Sequence, residues 1–433
     1  MVERVGVDVA PGGRTTAVRR YVLALLVVVY TFNFIDRQIL AILLPAIKAE
    51  FGVNDTILGF LAGSAFALFY ATLGVPIALL ADRWNRRNLI ALALAIWSGM
   101  TALSGIATNI VQLTLARIGV GVGEAGCSPP AHSIISDLYA PQERSTAMGI
   151  FTLGISGGIM IAYLAGGWVA ENIGWREAFL IVGLPGLVLA LLVRFTIKEP
   201  VRGQSDGKRD SAARPGIVTV ARFLLERKSF LHLAIGSGLA AFNGYAVISF
   251  FPTFLYRSHG MSLSEIGVWL GLILGIAGGL GFAGGGYVSD RLGRRGQRFA
   301  LWGVAAATMF AWLFHFPVFL IDNAYLVLGV FVIPAIFANF YLATTFAQIQ
   351  GLVGLRMRAV ASALLLFILN SVGLGLGPLF AGVLSDILEG TFADDSMRYS
   401  LLFVAVVIGP WSAFHYLAAG RHIEGDLARS DEG

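Results

Sequence analysis

The sequence predicts an all-α polytopic membrane protein with twelve transmembrane helices arranged as two six-helix bundles. Three observations carry this expectation. The 433-residue chain is 57% hydrophobic and only 13% charged, with a mean hydropathy of +0.76, whereas soluble domains carry about a quarter charged residues. Apolar stretches of the roughly 20 residues needed to cross about 30 Å of hydrocarbon recur along nearly the whole length. A basic segment also repeats at a spacing of 208 positions: Asp82, Arg83, Arg86 and Arg87 follow the second apolar run, and Asp290, Arg291, Arg294 and Arg295 follow the eighth. A repeat of that period is the mark of duplicated halves.

Residues 1–19 are polar and basic and lack the apolar core and small-residue cleavage site of a signal peptide, so they are expected to remain as a tail. The first bundle, 20–197, divides into spans at about 20–46, 55–81, 88–107, 110–136, 144–170 and 175–197. A linker follows over 198–228. Its first part is polar, while Ile217 to Lys228 has an apolar stripe and a basic flank suited to a short helix on the membrane surface or to an early start of span 7. The second bundle, 229–420, holds spans at about 229–256, 264–289, 298–321, 324–351, 359–385 and 398–419, and 421–433 form a second tail.

Of the 31 Lys and Arg, 25 fall on the side carrying both termini. Lys48, Arg176, Arg257 and Arg398 lie opposite, and Arg37 and Arg117 lie inside spans. This bias predicts that both termini are cytoplasmic and that the chain resides in the plasma (inner) membrane. Topology therefore accounts for the pI near 9.4, and no nucleic-acid partner is implied. The single cysteine, Cys127, excludes an intramolecular disulfide and reads as a packing residue. A monomer surrounded by membrane lipids, without cofactor, is expected.

An enzyme is disfavoured. Gly-x-Ser-x-Gly and Gly-x-x-x-x-Gly-Lys motifs are absent, and His132, His232, His315 and His415, expected near helix ends, have no metal-ligand spacing. A channel or receptor of the same topology is a further alternative, which saturable flux would separate from a carrier.

Residues 286–295 contain Gly286, Asp290, Arg291, Gly293, Arg294 and Arg295 at the spacing Gly-x-x-x-Asp-Arg-x-Gly-Arg-Arg. This resembles the signature of the major facilitator superfamily; the first copy departs from it at Ala78 and Asn85. Arg117 followed by Gly119, Gly121 and Gly123 resembles the family's second motif, and Gly149, Gly158, Gly166 and Gly167 fit the spacing of its third, with Ala162 and Tyr163 where Gly-Pro is usual. The resemblance spans about residues 20 to 420. Asn33 with Asp36 and Arg37, Asn85, Gly121 with Glu124, and Asp137 with Arg144 together are similar to the Spinster branch, whose animal members move sphingosine phosphate and lysophospholipids. Organic-anion symporters of the superfamily share part of this pattern. The resemblance implies the major facilitator fold, alternating access, and a small amphipathic anion as substrate.

Asp36 and Arg37 interrupt about 25 otherwise lipid-compatible residues. At 1.5 Å per residue, Asp36 lies about 8 Å below the outer surface and Arg117, on the antiparallel span 4, about 10 Å below it. Glu124 is two turns past Arg117 on the same face and about 10 Å deeper. Charges at such depth are costly unless paired or hydrated, so the four are expected to face a cavity. A static salt-bridge cluster would also account for them. The favoured reading gives proton coupling to Asp36, with Glu124 as the second candidate, and anion binding to Arg37 and Arg117 with Asn33 beside them. The second half offers Phe242, Asn243, Tyr245, Asn339 and Asn370 as uncharged lining of the same cavity. The two repeat copies, Asp82, Arg83, Arg86, Arg87 and Asp290, Arg291, Arg294, Arg295, are expected to form a cytoplasmic gate that latches the halves together in one state.

Overall fold

A computed structural model describes residues 16–201, 216–354 and 357–429. Residues 1–15 and 430–433 of the two expected tails, and 202–215 of the linker, lie outside the described residues. Helices make up most of the described residues, and no strand occurs among them. Span 1 is Thr16–Phe51, span 3 Arg86–Ser104, span 5 Pro141–Asn172 and span 6 Trp175–Thr196. Span 7 is Lys228–His259, and span 12 is Ser396–Ala428.

The other spans are interrupted or end in a tight turn. Span 4 is two helices, Ile110–Glu124 and Ser128–Leu138, where one continuous helix was expected. Pro129 and Pro130 supply no backbone N–H for the carbonyls of Ala125 and Gly126, so the helix stops at Glu124 and restarts at Ser128, with three residues between. Span 10 breaks between Ala324–Phe337 and Phe340–Gly351, and span 9 (Gln297–His315) ends in the tight turn Pro317–Leu320. Span 2 (Asp55–Gly59, Ala65–Arg83), span 8 (Leu263–Leu272, Gly278–Gly293) and span 11 (Arg358–Ile368, Gly377–Phe392) each contain a π-helical segment, at Phe60–Ser64, Ile273–Ala277 and Leu369–Leu376. Such wide turns leave a backbone carbonyl without its helical partner and gather at functional positions. Ten stretches of the described chain are long and apolar enough to cross a membrane; one of them, 360–428, contains both spans 11 and 12, and the broken span 4 is not among them, which gives twelve.

The linker forms its own helix, Ile217–Leu225, separated from span 7 by Glu226 and the extended Arg227, so span 7 does not begin early. Val220 and Leu224 are buried against the second bundle, while Val218 and Leu225 face outward. Asn54, Asn85, Asn109, Ser262 and Asn323 accept backbone N–H bonds at the starts of spans 2, 3, 4, 8 and 10. Short polar side chains thus set these span boundaries.

Because the spans alternate in direction, the linker and both chain ends share one face, here the terminal face; the opposite face is the far face. Spans 1 and 5, 3 and 6, and 3 and 4 pack within the first bundle, and spans 7 and 12 and 9 and 12 within the second. The bundles meet along two glycine-lined seams, span 2 with span 11 and span 5 with span 8, and span 1 also packs on span 7. Both seams are backbone against backbone. A Cβ added to Gly59, Gly63 or Gly382 would lie 2.3, 2.4 or 2.1 Å from a carbonyl oxygen of Pro378, Leu374 or Asp55. At the other seam, a Cβ added to Gly167 or Gly267 would lie equally close, 2.3 or 2.4 Å from the carbonyl oxygen of Leu263 or Tyr163. Ser64 donates to the carbonyl of Gly375 at 2.6 Å, inside the π segment of span 11. Tyr163 donates across the bundles to the carbonyl of Ile248 at 2.8 Å.

Candidate functional site

Consecutive residues of a helix point about 100° apart, so Asp36 and Arg37 reach different neighbours and do not pair with each other. Arg37 turns toward spans 2 and 4. Its Nη2 and Nε donate to Glu124 Oε2 at 2.7 and 3.2 Å, and the rings of Phe34, Phe66 and Tyr70 surround its guanidinium at 5.1, 5.0 and 4.8 Å. Glu124 is the last residue of the first helix of span 4, placed there by the break described above, and its side chain is fully buried. Ion pairing and three ring faces together offset the desolvation of this guanidinium.

Asp36 points the other way, toward spans 3 and 4, and is 0% exposed. Trp97 and Thr101 stand beside its carboxyl, yet neither carboxyl oxygen meets a hydrogen-bond partner, nor do Trp97 Nε1 and Thr101 Oγ1. Arg117 joins Asp36 through the backbone: its Nη1 donates to the Asp36 carbonyl at 3.2 Å, and its Nε is unpartnered. Glu124 Oε1 and Asn33 Nδ2, also buried, lack partners. Four ionisable side chains therefore share one buried compartment with a single close ion pair among them. A cavity of about 10 Å³ touches Arg37, Gln38, Tyr245 and Ser249, room for about one water.

Among the second-bundle residues singled out from the sequence, Tyr245 is the one brought to the cluster, where it shares that cavity with Arg37. Phe242 packs on Phe380 in the contact between spans 7 and 11, with ring centroids 5.6 Å apart. Asn243 Nδ2 faces His315 Nδ1 of span 9 at 3.5 Å, away from Arg37. Asn339, at the break in span 10, lies against Gly278 of span 8. Asn370 donates to the carbonyl of Leu366 in its own helix at 2.8 Å.

The two repeat copies differ. Arg86 is 1% exposed and is bound inside its own bundle: it donates to Asp137, to Ser133 at 2.7 Å, to Glu199 at 2.8 Å and to the Pro200 carbonyl at 2.9 Å. Arg87 contributes its backbone N–H to Glu199 at 2.9 Å and its side chain to Asn88 and the Ile197 carbonyl. These contacts tie spans 3, 4 and 6 together and do not reach the second bundle. The side chains of Asp82 and Arg83 lie outside the described residues. Asp290, Arg291, Arg294 and Arg295 are exposed beside a cavity of about 410 Å³ between spans 8, 9, 10 and 12.

The far face carries a polar network that the sequence reading passed over. Asp55, at the start of span 2 and 1% exposed, accepts both Nη groups of Arg257 from span 7 at 2.6 and 2.7 Å. It also accepts Lys48 at 2.8 Å and the Ser385 hydroxyl at 2.7 Å. Lys48 and Arg257 had entered only as two minority charges of the topology count. Asp55, Asp386 and Glu171 sit at span ends, where a carboxylate reads as solvated. No group of His, Cys, Asp and Glu suited to a metal ion occurs among the described residues.

The profile of the Major Facilitator Superfamily matches residues 26–378. An MFS-type efflux pump of Mycolicibacterium smegmatis is 34% identical to this chain over 92% of each. A probable galactarate/D-glucarate transporter, GudP, of Bacillus subtilis is 27% identical over 67% of this chain and 69% of its own. Among solved structures, a bacterial homolog of the human lysosomal transporter Spinster, inward-facing and unoccupied, superposes with a TM-score of 0.87 at 32% identity, over 95% of this chain and 99% of that one.

Proposed function

The chain belongs to the major facilitator superfamily, in its Spinster-like branch, and from that premise we propose that this transporter carries an amphipathic anion of the lysophospholipid or sphingoid phosphate type, coupled to protons. The terminal face is cytoplasmic in this reading, as the Lys and Arg bias supports. The closed far-face seams then correspond to an inward-facing state.

One observation carries the coupling: Asp36 is fully buried with two unpartnered carboxyl oxygens, while Glu124 is paired with Arg37. A bare carboxylate in such a place is far more costly than a neutral acid, so Asp36 holds the proton here. The cluster then sums to one positive charge, from Arg37, Arg117 and the Glu124 carboxylate. An anionic headgroup satisfies that charge. When Asp36 ionises, the sum falls to zero and Arg117 acquires a counter-charge within its own bundle, so proton and anion bind cooperatively. Tyr245 offers the substrate its first contact on the second bundle. The exposed copy, Asp290 with Arg291, Arg294 and Arg295, engages the first bundle when the cytoplasmic face closes, at the helix ends where an Asp finds N–H groups and basic side chains.

A second reading, a sugar-acid/proton symporter, is favoured by the likeness to the galactarate/D-glucarate transporter. Counterflow in proteoliposomes against lysophospholipids, sphingoid phosphates and sugar acids, with a proton gradient imposed or collapsed, separates the two. The lipid anions are expected to exchange saturably and to accumulate only with the gradient. Exchange of sugar acids alone would select the second reading, and accumulation indifferent to the gradient would remove proton coupling.

A further inference from the structure

Two carboxylates cross the seams on the far face, and each binds the start of a span that holds the same place in its half of the repeat. Asp386, in the last helix of span 11, accepts the backbone N–H groups of Asp55 and Thr56 at 2.9 and 2.8 Å and the Thr56 hydroxyl at 2.5 Å. Glu171, in the last turn of span 5, accepts the backbone N–H of Ser264 at 2.7 Å, and Asn172 approaches the Ser264 hydroxyl at 3.5 Å. Thr56 and Ser264 stand 208 positions apart, the spacing that separates Asp82 from Asp290. Each carboxylate therefore caps the first turn of a helix belonging to the opposite bundle, where unpaired N–H groups and the helix dipole favour negative charge.

We propose that these two caps form a paired latch that holds the bundles closed on the far face, and that its arms are unequal, so that the seam between spans 5 and 8 parts before the seam between spans 2 and 11. The arm at Asp386 is reinforced by the neighbouring ion pair: Asp55 is bound to Arg257, Lys48 and Ser385 in a site closed to solvent. Arg257 belongs to the second bundle, so this charge pair also spans the interface, and separating the bundles leaves Asp55 without its bidentate partner. The arm at Glu171 is exposed; it accepts the Ser264 backbone N–H with the Ser262 and Ser264 hydroxyls beside it, and no ion pair stands behind it among the described residues. A carboxylate in water keeps most of its solvation when the bond breaks, so that arm opens at lower cost. The order of opening follows from burial, since both seams have the same close glycine packing.

The test uses the purified full-length chain without substrate, so its outcome does not depend on what is carried. Spin labels are placed at the exposed pairs Ile173 with Val268 for one seam and Phe60 with Ile387 for the other, in a Cys127→Ala background, and distances are read by pulsed electron resonance. Asp386→Asn is expected to raise the fraction of molecules with both far-face distances lengthened about tenfold, and Asp386→Glu to restore most of the closed fraction. Glu171→Gln is expected to lengthen only the distance between spans 5 and 8, in about twofold more molecules. Thr56→Val, which deletes a single hydroxyl bond, gives a smaller shift in the direction of Asp386→Asn and serves if that variant folds poorly. Unchanged distances in Asp386→Asn and Thr56→Val would overturn the latch, and a larger effect of Glu171→Gln than of Asp386→Asn would overturn the order of its arms.

Discussion

Asp36→Asn is expected to abolish gradient-driven transport while sparing counterflow. Asparagine keeps the shape of the protonated acid and cannot titrate, so the cluster is held in its anion-binding charge state. Counterflow moves no net proton and should continue within about threefold of the native rate, whereas accumulation against a gradient should fall by about 100-fold or more. Arg117→Ala behaves differently. It removes a buried cation that donates to the Asp36 carbonyl, so the anion loses a partner in a low-dielectric site, and both assays should fail together. Glu124→Gln separates the two acids. It breaks the pair with Arg37, and if it alone removed proton dependence, the titrating group would be Glu124 and the assignment to Asp36 would be wrong. Retention of gradient-driven transport by both acid variants would leave the cluster a static brace of the first bundle.

Arg86→Ala is expected to produce the largest loss of stability of any single change in the repeat motifs, about 3 kcal/mol in a reversible unfolding measurement in detergent. Removing one partner of a buried ion pair costs about 3–5 kcal/mol, and the lower end applies because Glu199 is 23% exposed and can recover water. The variant removes at once the bonds that Asp137, Ser133, Glu199 and the Pro200 carbonyl receive from Arg86. Arg294 occupies the equivalent place 208 residues on but is exposed, so Arg294→Ala should change stability by no more than about 0.5 kcal/mol. Equal losses at both positions would show that the two copies play the same structural part.

The span boundaries were legible because they depend on hydropathy and on punctuation by Asn, Ser and Gly, both of which act locally. Spans 5 and 6 lie within three residues of their expected ends, and the linker helix begins where the apolar stripe of Ile217 does. That Arg117 stands level with Asp36 was legible for the same reason, since rise per residue is fixed. Azimuth was not. Nothing in the order of residues says which way each helix is rotated about its axis, so the sequence placed Arg37 with Asp36 while packing placed it with Glu124. The break in span 4 had a signal, Pro129 and Pro130, which the surrounding apolar pattern outweighed. Asn243 and Asn370 were expected as uncharged lining of the cavity that the charges face; Asn243 faces His315, and Asn370 donates to a backbone carbonyl of its own helix. The far-face network was out of reach because it joins residues such as Thr56 and Asp386, 330 positions apart, through the docking of two bundles rather than through any local pattern.

The glycines of the two seams have a practical consequence. Gly63 and Gly167 abut carbonyl oxygens of the facing bundle, where an added Cβ would stand 2.4 and 2.3 Å away, closer than any carbon and oxygen tolerate without movement of the backbone. Elsewhere in a protein such a methyl would be absorbed by distorting its surroundings, at a cost in stability. Here the surroundings are a joint, and the joint can yield by opening. Alanine at either position acts as a doorstop: each bundle keeps its own packing, and the chain is biased toward the conformation in which the far face has parted. Gly63→Ala and Gly167→Ala should therefore melt close to the native temperature while the label pairs across the far face report longer distances, giving a handle on the opposite half of the transport cycle without any ligand.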